Sequence, residues 1–114
     1  LRGIDPAVSR RNLESILKIA QANEVEVLLV GLSAPGNYGA EYKSSFDAIY
    51  PELSEAYGAF YAPDFFAGLG GGDPAALQQW FQADGIHPNA EGVARIVEGL
   101  GPHLRALIEA AQAE

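Results

Sequence analysis

Asp84 and His87 stand three residues apart in the run DGIHPN at 84–89, and their types suit acid–base chemistry. A histidine that takes a proton from a serine hydroxyl turns one ring nitrogen toward that hydroxyl. A carboxylate on the other nitrogen fixes the tautomer and stabilises the imidazolium. Asp84 can supply that carboxylate if a tight turn at Gly85 brings it back to His87. The spacing therefore indicates two members of a hydrolytic triad.

The spacing alone leaves two other interpretations of this turn open. Asp84 can be an ordinary turn aspartate and His87 a loop histidine with a structural hydrogen bond. The pair can also ligate a metal, but two ligands without further His, Cys or clustered carboxylates make a weak site. No serine has the sequence setting of an activated nucleophile. The serines concerned are Ser9, Ser33, Ser44, Ser45 and Ser54.

Composition limits the partners of this chain. Its 114 residues suffice for one modest domain, and 7 basic against 15 acidic residues give a net charge of −8. Such a surface repels phosphate backbones and anionic lipid, so we expect no nucleic-acid partner. No apolar run approaches the roughly 20 residues that span a bilayer, so we expect no membrane insertion. The chain has no cysteine, which excludes thiolate chemistry and Cys-based metal sites.

The first third of the chain predicts a helix, a strand and a loop. Asp5 and Pro6 are typical of a helix start, and the helix should end near Asn23. The branched apolar run at 25–32 predicts an inner parallel strand covered on both faces. Residues 33–39 then form a loop at the carboxyl end of that strand, where open α/β sheets bind ligands.

The middle of the chain repeats this alternation. We expect a helix over 40–57, which Pro51 should kink or split near Tyr50, and a second short strand over 59–62. Short helices are predicted over 64–69 and 74–81, separated by a glycine-rich break. The alternation of helices and buried strands indicates an α/β fold.

A long helix is predicted from Asn89 almost to the end of the chain. Its apolar positions keep one phase through Gly101 and Pro102, so we expect one bent helix rather than two. The residues of this predicted apolar face are Val93, Ile96, Val97, Leu100, Leu104, Leu107 and Ile108.

Two strands make a small sheet for so many helices. A two-stranded parallel sheet leaves its edges open and gives the helices too little surface to cover. We therefore expect residues 1–114 to be the C-terminal part of one larger domain, a view that the start at Leu1, without an initiator Met, also favours. The alternative is that 38–43 or another segment supplies a further strand.

The motifs of the chain resemble those of the SGNH (GDSL-type) hydrolases. The run at 84–89 resembles the last block of that family, closest to its bacterial arylesterase, thioesterase and lysophospholipase branch. Residues 1–3 resemble the stretch after the family's Asn-bearing block, and 32–39 resembles a loop of the same branch. Further matching positions are Tyr42, Phe46, Ile49, Tyr50 and Pro51. The resemblance covers essentially the whole chain.

The resemblance implies a flavodoxin-like three-layer α/β/α fold with a parallel sheet, of which this chain is the C-terminal portion. It implies His87 as general base and acid and Asp84 as its orienting carboxylate. It also implies substrate contacts at Ala34, Pro35 and Tyr38. The alternative that their loop only connects the strand to the next helix stays open. The family's serine, glycine and asparagine blocks have no counterpart here, and Asn37 lies in a different type of loop.

The resemblance predicts a serine esterase that hydrolyses small acyl or aryl esters, with thioesters and lysophospholipids as further candidates, through an acyl-enzyme. It implies no metal or cofactor. The predicted partners are a small ester substrate and an N-terminal segment or chain of the same enzyme that carries the nucleophile. Taken alone, the 114 residues are expected to be inactive, and a non-enzymatic binding module is the alternative. A periplasmic or secreted location is expected, as is common in this branch.

Overall fold

The computed structural model describes residues 3–71 and 74–113 and confirms the alternation of helices and strands. Leu1 and Arg2, part of the family resemblance, and the middle of the predicted break at 70–74 lie outside the described residues. The elements in chain order are α1 (Pro6–Ala22), β1 (Leu28–Val30), α2 (Ala40–Tyr57), β2 (Phe60–Ala62), α3 (Pro74–Leu77) and α4 (Ala90–Gln112). Short 3-10 turns occupy Gly36–Tyr38, Ala67–Leu69 and Gln78–Trp80.

Helix α1 begins and ends where its capping residues predict. The Asp5 carboxylate accepts a hydrogen bond from the Ala7 N–H at 2.9 Å, and Pro6 occupies the first turn, where an N–H is not needed. At the other end, the Asn23 side chain donates to the Ile19 carbonyl at 2.8 Å. Both signals are local, which is why the sequence predicts this helix well.

The sheet consists of β1 and β2, which pair in parallel with Leu28 opposite Phe60 and Val30 opposite Ala62. The parallel arrangement was expected, but β1 is shorter than the predicted 25–32. Only three residues of each strand form the ladder. Val25 is 58% exposed, so the start of the predicted run is not an inner strand.

Helix α2 spans the predicted residues and continues through Pro51 without a break. Ile49 and Leu53, on either side of the proline, are almost fully buried and pack with Leu17 and Leu29 in the main core. This burial keeps the helix continuous although Pro51 cannot donate a backbone hydrogen bond. The alternative strand over 38–43 is wrong, because 36–38 is a 3-10 turn and α2 begins at Ala40.

Helix α4 is a single helix through Pro102, as predicted. Helices α2 and α4 both pack against the two strands, and α4 also packs against the 67–69 turn. The predicted apolar face of α4 is only partly covered: Ile96 is buried, whereas Val93 is 50% and Val97 60% exposed. Among the described residues, no helix has the length and apolar character needed to cross a membrane.

Candidate active site

Asp84 and His87 form a fixed pair at the turn before α4. The Asp84 Oδ2 atom lies 2.6 Å from Nδ1 of His87. The other oxygen, Oδ1, accepts hydrogen bonds from the backbone N–H groups of Ile86 at 2.9 Å and His87 at 3.0 Å. Gly85 has a φ of +69°, a left-handed conformation that glycine adopts at little cost. The turn therefore orients the carboxylate with its own backbone and leaves one oxygen for the imidazole.

The electrostatics of the pair fix which ring nitrogen carries the proton. Hydrogen bonds from the His87 side chain first, and then from the His87 and Ile86 backbone, lower the pKa of Asp84 from 3.8 to about 2. An ionised carboxylate can only accept, so Nδ1 of His87 must be the donor. In the neutral ring, Nε2 then carries a free lone pair. The His87 side chain is 69% exposed, so the ring is open to a reactant.

Backbone hydrogen bonds tie this turn to the segment before it. Phe81 and Pro88 form an antiparallel bridge, and the Gln82 N–H donates to the His87 carbonyl at 2.8 Å. The Gly85 N–H donates to the Gln82 carbonyl at 2.9 Å. The segment 81–88 is thus a closed loop with His87 near its end, and these bonds hold the backbone that carries the imidazole.

Asn89 connects the turn to α4, as its type and place predict. Its Oδ1 accepts from the Gly92 N–H at 2.8 Å, which caps the helix, and its Nδ2 donates to the Gln79 carbonyl at 2.7 Å. The Asn89 N–H also donates to the Trp80 carbonyl at 2.9 Å. The Asn89 side chain therefore joins the start of α4 to the 3-10 turn at Gln78–Trp80, which precedes the segment with Asp84 and His87.

The predicted substrate contacts lie together at one pocket. Ala34, Pro35 and Tyr38 line an apolar cavity of about 330 Å³ at the carboxyl end of β1. Phe46 of α2 and Phe66 complete much of its wall. Their role in binding stays a prediction, but the three residues face one space.

Aromatic side chains connect this pocket to the segment that carries Asp84 and His87. The Phe66 ring lies 6.0 Å, centroid to centroid, from the ring of Phe81, and it packs edge-on against Phe65 at 4.9 Å. Phe81 is the first residue of the closed loop that carries Asp84 and His87. Phe66 of the pocket wall therefore packs against the first residue of that loop.

Sequence reasoning missed the ion pair of Lys43 and Asp47 beside this pocket. The Lys43 ammonium lies 2.7 Å from Oδ2 of Asp47, one helical turn away on α2. Both side chains also bond the backbone of Ala34. The signal was available, since Lys and Asp stand at i and i+4 near the start of the helix that follows the predicted loop.

Within residues 3–71 and 74–113, the only hydrogen bond of the His87 ring is the one between Nδ1 and Asp84, and no serine hydroxyl bonds to Nε2. Within the same ranges, no three His, Cys, Asp or Glu side chains are grouped so that they could hold a metal ion. The arrangement can accept and return a proton at Nε2.

The chain is similar to bacterial esterases over nearly its whole length. It is 36% identical over 108 residues to esterase TesA of Pseudomonas aeruginosa, covering 95% of this chain and 51% of that relative. It is 33% identical over 108 residues to thioesterase 1/protease 1/lysophospholipase L1 of Escherichia coli, covering 95% of this chain and 50% of the relative. The chain thus spans about half the length of the curated relatives it matches. No family model matches it.

The parallel pairing of β1 and β2, with helices α2 and α4 packed against both strands, defines an α/β protein. A crystal structure of TesA superposes with a TM-score of 0.78 at 36% identity, covering 94% of this chain and 57% of that one. AlinE4, an SGNH-hydrolase family esterase, superposes with a TM-score of 0.65 at 37% identity, covering 93% and 53%. The chain belongs to the SGNH hydrolase family and matches the C-terminal portion of its three-layer α/β/α fold.

Proposed function

We propose that this chain supplies the acid–base half of an SGNH carboxylic ester hydrolase. The observation that carries the proposal is the 2.6 Å contact between Asp84 and His87, with the second carboxylate oxygen held by the backbone. The relatives named as esterases and thioesterases support an ester substrate. Small acyl or aryl esters are the proposed substrates, with thioesters and lysophospholipids as further candidates.

In the proposed reaction, Nε2 of His87 takes the proton of a serine hydroxyl as the serine oxygen bonds to the ester carbonyl carbon. Asp84 stabilises the imidazolium that forms. The tetrahedral intermediate collapses, and His87 returns the proton to the leaving alcohol, which leaves an acyl-enzyme. His87 then deprotonates a water molecule that attacks the acyl group, and its proton returns to the serine oxygen.

The proposed serine lies in an N-terminal segment, the half of the relatives that this chain does not match. Residues 1–114 are then the C-terminal part of one SGNH domain, and the segment or chain with the nucleophile is its partner. Two features support this arrangement: the described residues contribute two strands, and large apolar side chains of α1 and α4 are exposed. Ile16 and Ile19 of α1 are 60% and 65% exposed.

The proposed substrate contacts are Ala34, Pro35 and Tyr38. Their pocket is mainly apolar and lies at the carboxyl end of β1, the edge at which α/β sheets bind ligands. An acyl or aryl group fits the apolar lining. Pro35 is exposed and Tyr38 half-buried, so both can meet a ligand without rearrangement of the core.

The test of this proposal is ester hydrolysis by the complete enzyme, with p-nitrophenyl esters as probes. Replacing His87 by Ala should lower kcat by roughly 10²–10⁴-fold, because the general base is lost. His103→Ala is the matched control, since His103 is half-buried in α4 and has no place in the proposed reaction. Equal rates for wild type and His87→Ala would refute the proposal and favour a binding module.

A periplasmic or secreted location is proposed from the family resemblance. Cell fractionation of the complete protein, expressed with a C-terminal tag, measures it directly. Recovery of the protein in the cytoplasm alone would contradict this part of the proposal.

A further inference from the structure

We propose that Lys43 and Asp47 are positioning residues. They hold the loop at 33–39, which contains the proposed substrate contacts, through the backbone of Ala34. This inference rests on the proposed function, because it concerns the loop with Pro35 and Tyr38. The pair is part of α2, whereas the loop it holds follows β1. The Lys43–Asp47 pair therefore connects α2 to the loop after β1, and the candidate pocket lies between them.

Lys43, Asp47 and Ala34 form a closed hydrogen-bonded ring. The Ala34 N–H donates to Oδ1 of Asp47 at 2.8 Å. The Lys43 ammonium donates to the Ala34 carbonyl at 3.1 Å and to Oδ2 of Asp47 at 2.7 Å. The N–H of Ala34 is thus bound by the negative side chain of Asp47, and its carbonyl by the positive side chain of Lys43. The two side chains also bind each other.

The backbone of Ala34 needs such partners because of where it lies. Ala34 is 6% exposed, so water cannot fully satisfy its N–H and carbonyl. It also lies beyond the strand ladder, which ends with the Gly31 N–H donating to the Ala62 carbonyl. A buried polar group without a partner costs about 1–3 kcal/mol, so the ring stabilises this one conformation of the loop.

The charge environment of Asp47 fits this role. Partial burial raises its pKa, but the hydrogen bonds from Lys43 and the Ala34 N–H, with the Lys43 charge, outweigh that effect and lower it overall. The carboxylate is therefore ionised at neutral pH. Charge-assisted hydrogen bonds of this kind are stronger than neutral ones.

The ring sets the distance between two walls of the pocket. Phe46 lies between Lys43 and Asp47 in the sequence of α2 and lines the pocket, as do Ala34 and Pro35 on the opposite element. Without the ring, the loop wall can move relative to the helix wall. The pair therefore acts on acyl-group binding, whereas the acid–base step depends on Asp84 and His87.

The first measurement is hydrogen–deuterium exchange of the Ala34 amide, followed by NMR on the complete enzyme. Asp47→Asn weakens the acceptor with little change of shape, and Ala34 should exchange roughly tenfold faster. Lys43→Met should also accelerate exchange, whereas Lys43→Arg, which keeps the charge, should recover at least part of the protection. Circular dichroism confirms that each variant keeps its helices.

The second measurement is the steady-state kinetics of the complete enzyme with acetyl and hexanoyl esters. In Asp47→Asn and Lys43→Met, KM for the hexanoyl ester should rise roughly threefold to tenfold, because a mobile wall binds the acyl group less well. The kcat for the acetyl ester should change less than about twofold. Glu52→Gln is the matched control, since it removes the exposed Arg10–Glu52 ion pair, which lies outside the pocket.

The outcomes separate this inference from the proposed function. Unchanged Ala34 exchange in Asp47→Asn would overturn the positioning role even in an active esterase. Equal rises in KM for both esters, or a rise in Glu52→Gln as well, would overturn it by showing a general structural effect. No ester hydrolysis by the wild-type enzyme would refute the proposed function itself, and the role in substrate binding with it.

Discussion

The carboxylate of Asp84 serves two structural purposes with its two oxygens, and this explains its acidity. Oδ1 closes the turn by accepting two backbone N–H groups, and Oδ2 binds the imidazole of His87. Each of these bonds favours the charged form, so the pKa falls to about 2. Asp84 therefore stays ionised across the whole pH range in which an esterase is assayed.

Replacing His87 by Ala should raise the pKa of Asp84, because the largest cause of its lowering is the hydrogen bond from the imidazole. The two backbone hydrogen bonds remain, so the new value should lie between about 2 and the ordinary 3.8. The measurement is a pH titration of the Asp84 carboxyl carbon by NMR in both proteins. His103→Ala, the other single-histidine change, should leave the titration as in wild type, and an unchanged titration in His87→Ala would contradict the geometry.

The lowered pKa of Asp84 also determines how the stability of the fold depends on pH. The folded-state pKa of Asp84 is below the unfolded value of 3.8, so the pair stabilises the fold fully above that pH. The contribution is lost as pH falls from 3.8 toward 2. His87→Ala should therefore lose less stability over this interval than wild type.

At the scale of elements, the turn that carries Asp84 and His87 depends on a close approach between α4 and the 3-10 turn at Gln78–Trp80. A Cβ built on Gly92 would lie 2.1 Å from the Trp80 carbonyl oxygen, a contact with backbone that cannot move aside cheaply. Arg95, one turn further along α4, stacks 3.8 Å from the centre of the Trp80 ring. Glycine thus allows the helix to start directly against the segment that leads into Asp84 and His87.

Gly92→Ala should lower the free energy of unfolding by about 1–3 kcal/mol, because the added methyl group must displace one of the two backbones. Urea unfolding followed by circular dichroism measures this change. Gly101→Ala is the matched control in the same helix, since its Cβ would meet nothing within 4 Å. Its effect should stay within about 1 kcal/mol. Equal losses in the two variants would mean that the approach at Trp80 is not tight.

The elements also show what the sequence could predict and why. Helices α1, α2 and α4 begin and end near the expected residues, because Asp5, Gly58 and Asn89 act on their own neighbours in the chain. The extent of β1 could not be read in this way, since a strand needs a partner that is distant in sequence. The same holds for the ring of Lys43, Asp47 and Ala34, whose members meet only when α2 folds back on β1.

For the molecule as a whole, the exposed apolar side chains agree with the expectation that two strands give the helices too little surface to cover. The periodicity of α4 correctly predicts one face, yet most of that face is not buried by the described residues. Val97 is 60% exposed, and Ile16 and Ile19 of α1 are exposed to a similar degree. Apolar surface of this extent is typical of a surface that another segment covers. Periodicity identifies a face to be buried, but it cannot identify what buries it.

If the N-terminal half of an SGNH enzyme covers these side chains, the 114-residue chain alone should bind the dye ANS and hydrolyse no ester. Adding the N-terminal half of the Pseudomonas esterase should reduce dye fluorescence and produce activity, because the apolar surface is buried as the serine reaches His87. Val97→Lys and Ile19→Lys should each weaken this reconstitution, since a charge would have to be buried. Glu52→Gln, a change at an exposed polar side chain, should not. Dye fluorescence that stays constant on mixing, or reconstitution that tolerates both lysines, would mean that these faces of α1 and α4 do not receive the segment that carries the nucleophile.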